Sequence, residues 1–150
     1  MGVKIPLENK DKQTLKKQLD DVFSYFIRLS WATEDGYCTC ITCKKRFFWL
    51  YIQNGHYISR VYTITRFLED NCRPQCQGCN YAQSNNKGGQ KQIDFEDELI
   101  MDLGDERVKE IKAMRKITAD YDKAWYIEKI NYYQLKVDKM LEKIPAKLYT

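Results

Sequence analysis

Four cysteines constrain this chain more than any other feature. They form two Cys-x-x-Cys pairs, Cys40 with Cys43 and Cys76 with Cys79, and 32 residues separate the pairs. Cys-x-x-Cys turns aim backbone amides at their thiolates, and two such turns suit one tetrahedral zinc ion. When four thiolates fill the metal's shell no position is left for substrate, so the expected role is structural. The separation is too wide for a small zinc finger and implies a staple across an inserted motif. Cys38 and Cys72 stand two and four residues ahead of a pair, without the knuckle spacing, and are read as structural thiols. No apolar run is long enough to span a bilayer, and the N-terminal stretch lacks the apolar segment of a signal peptide. The expectation is a cytoplasmic protein without a membrane segment, where reducing conditions favour metal ligation over disulfides.

At 150 residues the chain has the length of one domain with its own core. Its 43% hydrophobic and 13% aromatic content exclude a disordered chain. The net charge of +4 is unevenly spread. Residues 41–91 hold eight basic and two acidic side chains, a net of +6. A cationic segment of this kind favours a polyanionic partner, although a solvated basic face would give the same count.

Inside the staple lies His56, the chain's one histidine, beside Gly55. A lone histidine is more often a packed residue than a catalyst. Its place between the knuckles favours chemistry, because an imidazole titrates near neutrality and can take a proton from water attacking a phosphodiester. That reaction also needs a cation at the phosphate, normally a divalent metal. Asn80 follows Cys79 directly and offers an amide oxygen suited to magnesium or manganese, but its position equally suits a helix cap. Asn71 is a further candidate, with a turn residue as the plain alternative.

The sequence of residues 1–11 predicts a flexible arm. Leu15, Leu19, Val22, Phe23, Phe26 and Ile27 predict an amphipathic helix over 12–30. Residues 47–52 read as a strand, 53–55 as a turn placing His56 near a hairpin, and 57–62 as a second short strand. A short helix is expected over 80–83. Beyond residue 93 the pattern is helical, with a break at Gly104, and a long helix covers 118–144. In it Ile127, Ile130, Gln134, Val137, Leu141 and Ile144 step by 3, 4, 3, 4 and 3, a short heptad seam. The seam fits either packing on its own domain or a partner helix in a homodimer.

These features resemble the HNH, or ββα-metal, endonuclease superfamily, with the Cys76–Asn80 knuckle similar to that of the endonuclease VII type of junction resolvase. A closer resemblance is to the lambdoid phage NinG (Rap) recombination nuclease family. It is carried by Gly55-His56-Tyr57, Arg66-Phe67, Glu69-Asp70-Asn71, Gln75-Cys76, Cys79-Asn80, Leu99-Ile100, Leu103-Gly104 and Glu106-Arg107-Val108. The resemblance implies an α+β, mostly helical fold. A small zinc-stapled, treble-clef-like core over 12–92 would carry an N-terminal helix, and 93–150 would be a C-terminal helical extension. It implies His56, Asn71 and Asn80 as the catalytic set and Asn80 as ligand of the catalytic magnesium or manganese. Many superfamily members carry an acid immediately before the histidine; here that residue is Gly55. The second protein ligand therefore comes from Gln53, Asn54 or Asp70.

The function so implied is a metal-dependent, structure-selective endonuclease acting on branched DNA such as a Holliday junction or D-loop, encoded by a phage or prophage and working as a homodimer. Arg60, Arg66, Arg73 and Lys87 are the expected phosphate contacts, with Tyr57 the aromatic beside them. Two other readings stay open: a non-catalytic zinc-knuckle DNA-binding module, and an HNH nicking enzyme with another DNA substrate.

Overall fold

The apolar stripe of residues 12–30 forms helix α1 (Lys12–Ser30), started by the Asp11 carboxylate, which accepts from the Thr14 amide at 2.7 Å. The structure, a computed structural model, describes residues 4–145 and 148. The first three residues of the expected arm therefore lie outside the described residues. The rest of the arm is held: Leu7 packs on the core, and Lys123 Nζ donates to the Glu8 carbonyl at 3.1 Å.

Two small antiparallel sheets follow α1. Strand β1 (Tyr37–Thr39) pairs with β2 (Arg46–Phe48), and the first cysteine pair sits in the loop between them. Strand β3 (Gln53–His56) pairs with β4 (Cys72–Gln75), with Gly55 opposite Arg73 and His56 opposite Cys72. The short helix α2 (Thr63–Arg66) lies in the connection, and α3 (Gln77–Asn85) leaves β4 directly through the second cysteine pair. Helices α4 (Gln90–Leu103), α5 (Asp105–Ala113) and α6 (Lys123–Glu142) complete the chain. The protein is α+β and mostly helical, as its sequence implies.

Four local expectations are corrected. Of the 47–52 region only Phe47 and Phe48, the end of β2, are strand, and Trp49–Tyr51 is a 3-10 turn. The reason is Arg28, whose Nη1 donates to the Trp49 and Ile52 carbonyls at 3.0 and 3.1 Å, so these groups are satisfied without a neighbouring strand. Residues 53–55 are strand rather than turn. An ideal Cβ at Gly55 would lie 2.5 Å from Gln75 Oε1, so this glycine permits close strand contact. Residues 57–62 form no strand, because the Asn71 side chain takes the place of a partner. Its Oδ1 accepts from the Ile58 amide at 2.8 Å, and its Nδ2 donates to the Ile58 and Thr65 carbonyls, each at 3.0 Å. The helix expected over 80–83 is longer, because Cys76 caps α3 at Gln77.

Two apolar clusters organise the interior. The larger joins α1 to α6 and to the cysteine-bearing sheets. Tyr133 of α6 meets Phe23 and Phe26 of α1 with ring centroids 5.0 and 4.8 Å apart. The smaller cluster seats Tyr57 and Ile58 against Phe95 and Leu99 of α4 and Val108 and Ile111 of α5. The heptad seam is therefore filled within the chain. Ile130 and Val137 are buried, Ile127, Leu141 and Ile144 pack against the same cluster, and Gln134 stays exposed. Among the described residues no helix is long and apolar enough to cross a membrane.

Candidate functional site

The two cysteine pairs meet. The Sγ atoms of Cys40, Cys43, Cys76 and Cys79 all lie within 4.8 Å of one another. A zinc–sulfur bond of about 2.3 Å places tetrahedral sulfurs about 3.8 Å apart. Cys43 and Cys76 have Sγ atoms 3.8 Å apart, so the set fits one ion such as zinc. Local geometry already favours the thiolate of Cys40. Lys44 takes a left-handed conformation, φ 66°, and closes the first knuckle by donating its amide to the Cys40 carbonyl at 3.0 Å. Cys40 Sγ accepts from the Cys76 amide at 3.3 Å, and the Thr42 hydroxyl is 3.4 Å away. Burial opposes ionisation of Cys40, but hydrogen bonds from the Cys43, Cys76 and Thr42 amides and the Thr42 hydroxyl outweigh it and bring the thiol down to about 6. The Lys91 ammonium stands against Cys79, whose sulfur raises its pKa. Cys38 and Cys72 are fully buried, and burial pushes Cys38 up to about 11 and Cys72 higher still. Both lie outside the four-sulfur group, and Cys38 Sγ donates instead to the Arg28 carbonyl at 2.9 Å.

The staple brings His56 and Asn80 into one cleft of about 1200 Å³. His56 closes β3, and Asn80 stands on the first turn of α3, one residue past the knuckle. Gln53, Asn54, Tyr57, Arg60 and Lys87 line the same cleft. Asn80 Nδ2 donates to Gln53 Oε1 at 2.9 Å. Asn54 lies alongside, but its Oδ1 is enclosed and without a hydrogen-bond partner among the described residues.

His56 Nε2 lies 2.9 Å from the Arg66 carbonyl. A carbonyl only accepts, so Nε2 carries the proton and Nδ1 is the basic nitrogen of the neutral ring. Burial lowers the imidazole pKa to about 4, against the raising effect of the Arg66 carbonyl. The ring is therefore neutral at physiological pH.

Four expected site residues stand apart from the cleft lining. Asp70 lines a separate depression of about 360 Å³ and pairs with Arg107 at 2.9 Å, so it does not share a site with Asn80. Arg73 lines that same depression, 4% exposed, with its guanidinium 4.6 Å from the Trp31 ring centre. This placement removes it as a phosphate contact in the cleft. Arg66 is ion-paired with Asp20, its Nε 2.8 Å from the carboxylate, and its carbonyl is the part that reaches His56. Asn71 is fully buried and acts on backbone groups. Tyr57 touches the cleft but is 3% exposed, with its ring packed on Phe95. Conversely, the cleft recruits Asp21 of α1 and the exposed Arg115 beyond α5, which sequence reasoning missed. No local motif marks either residue; both arrive through packing of distant helices.

Four clustered cysteines suited to one metal ion, a two-stranded ladder and a helix holding a histidine and an asparagine in one cleft define a small α+β protein with a paired cysteine knuckle. Residues 4–143 match the family described as NinG, Bacteriophage Lambda NinG protein, and the chain belongs to that family. No curated protein and no solved structure gives a significant match.

Two predictions follow from this geometry. Elemental analysis should find one zinc per chain; Cys43→Ser should lose it and Cys38→Ala should keep it. The His56 ring should titrate near pH 4 in the native protein. A folded pKa below the unfolded value of about 6.5 means that the unfolded chain binds more protons between the two. The His56 contribution to stability is then complete above about pH 6.5, falls as pH drops towards 4, and levels off below. Denaturant midpoints across that window should show this slope in the wild type and lose it in His56→Ala.

Proposed function

We propose that the protein is a metal-dependent, structure-selective DNA endonuclease that hydrolyses phosphodiesters in branched recombination intermediates. Membership of the NinG family supports a phage recombination role. The observation that carries the reading is the tautomer of His56: Nε2–H is committed to the Arg66 carbonyl, which leaves Nδ1 as the base of a residue lining the same cleft as Asn80. The succession of β3, β4 and α3 around these residues is the arrangement expected of an HNH core.

In this reading Nδ1 of His56 accepts a proton from the attacking water while the bond from phosphorus to the leaving sugar oxygen breaks. Asn80 and Gln53, whose amides meet at 2.9 Å, would hold magnesium or manganese, which supplies positive charge for the phosphate oxygens. Gln53 is exposed while the Asn54 oxygen is enclosed, which favours Gln53 as the second ligand. Asn71 acts as a positioning residue, because its buried amide ties the loop after His56 back to the start of β4. Arg60, Lys87 and Arg115 line the cleft and are exposed, and are assigned to the DNA backbone. Two cuts at a junction call for two sites, most simply from a second copy of the chain. Because α1 occupies the α6 seam, that contact would use another face.

One observation favours the binding-module reading: the imidazole is enclosed enough to be strongly depressed in pKa, as a packed structural histidine would be. A synthetic four-way junction with magnesium separates the two. The wild type should cut it and leave linear duplex nearly intact. His56→Ala should bind it as tightly and cut on the order of 10²–10⁴-fold more slowly. Equal binding without cleavage by either protein would establish the binding module, and equal cutting of linear duplex would point to a general nicking enzyme.

A further inference from the structure

Two glutamines are buried between the cysteine knuckle and the histidine strand, outside the catalytic set. Gln75 is fully buried and Gln83 is 6% exposed. Amides in an interior cost free energy unless they are paired, and apolar side chains of similar size would fill the same space without that cost. These two are joined through Gln75 Nε2 and Gln83 Oε1, while Gln75 Oε1, pressed against Gly55, has no hydrogen-bond partner among the described residues. Gln83 Nε2 donates to the His56 carbonyl at 2.9 Å, Gln75 Nε2 donates to Gln83 Oε1 at 2.9 Å, and Gln75 Nε2 also reaches the Thr42 hydroxyl at 3.4 Å. Thr42 lies inside the first knuckle, with its hydroxyl 3.4 Å from Cys40 Sγ.

The direction of this chain is fixed at one end. The His56 carbonyl only accepts, so Gln83 must present its NH₂ there and its oxygen to Gln75, and Gln75 must present its NH₂ in turn. The position of Gln75 also accounts for Gly55. A Cβ there would fall 2.5 Å from Gln75 Oε1 and 2.6 Å from Gln75 Cβ. A carboxylate immediately before the histidine is thus incompatible with Gln75 in this place.

We propose that Gln75 and Gln83 are positioning residues, a buried amide relay that transmits the geometry of the four-thiolate knuckle to the backbone of His56. This rests on His56 being the base of the proposed nuclease, but the relay itself has a readout that needs no cleavage. Because the chain has one histidine, its ring signals in an NMR spectrum are those of His56 without further assignment.

The test compares wild type with Gln83→Glu, Gln83→Met and Thr42→Val in the zinc-loaded 150-residue chain. Gln83→Glu keeps an acceptor for Gln75 and loses the donor to the His56 carbonyl; Gln83→Met loses both. With zinc content and melting temperature held near wild type, both Gln83 variants should shift the His56 ring signals, and Thr42→Val should shift them in the same direction by less. With a four-way junction, the Gln83 variants should lose about 10- to 100-fold in kcat, the scale of a small misplacement of a reacting group, while junction Kd stays within about twofold. Unmoved His56 signals in Gln83→Met and Thr42→Val would overturn the relay. So would equal losses in kcat and junction affinity with unmoved signals. If the signals move while the wild type cuts no junction, the relay stands and the nuclease reading falls. Should Gln83→Glu fail to fold, Thr42→Val at the knuckle end decides the same question.

Discussion

Four thiols within 4.8 Å of one another cannot all ionise unless a cation stands among them, and the organisation of the site depends on that constraint. Like charges at such distances raise one another's pKa; at Cys76 burial is the largest cause, and neighbouring Cys79 and Cys40 add to it, lifting the thiol to about 12. A zinc ion at these sulfurs would reverse the balance and convert repulsion into a bond between two distant parts of the chain. One part is the β1–β2 loop. The other is the junction between β4 and α3. Once they are joined, Asn80 is placed by the first turn of α3 and His56 by the ladder to β4, so two residues 24 positions apart in sequence face one cleft.

Burial then sets the chemistry of the histidine. A ring in open solvent would be partly protonated near neutral pH and unable to act as a base in that fraction. Enclosure between β3 and the Arg66 carbonyl removes the proton at physiological pH and selects the tautomer. The cost is an imidazole whose surroundings must be held firmly. The structure meets it from three sides: Arg66 on the ring, Gln83 on the His56 carbonyl, and the Asn71 carbonyl on the next amide. Arg28 fixes the approach to β3 from α1 by taking the Trp49 and Ile52 carbonyls.

What could be read from sequence follows the range of the interactions. The four cysteines, the α1 stripe and the Gly104 break, φ 88°, are written in local spacing, and the structure shows each. Strand β3 was illegible because Gln-Asn-Gly-His has the composition of a turn, and only pairing with residues 16 to 22 positions further along makes it a strand. Strand β4 escaped notice because Cys-Arg-Pro-Gln has no alternation when both its faces are buried. For the site residues the pattern is similar. His56 and Asn80 were found through their neighbours in the chain. Asp70 and Arg73 were misplaced because proximity in sequence to Asn71 and Cys76 says nothing about which face of the ladder they use. The placement of Arg115 in the cleft and the pairing of Gln75 with Gln83 depend wholly on tertiary packing, which no local spacing encodes.

The central claim is that the clamp presents the imidazole of His56 and the amide of Asn80 to a common divalent ion and phosphate. Manganese tests it most directly, because its unpaired electrons broaden nuclear signals only at short range. Substoichiometric Mn²⁺ added to the zinc-loaded protein should broaden the His56 ring signals in the wild type and leave them sharp in Asn80→Ala. Sharp signals in the wild type, or equal broadening in both proteins, would contradict the account.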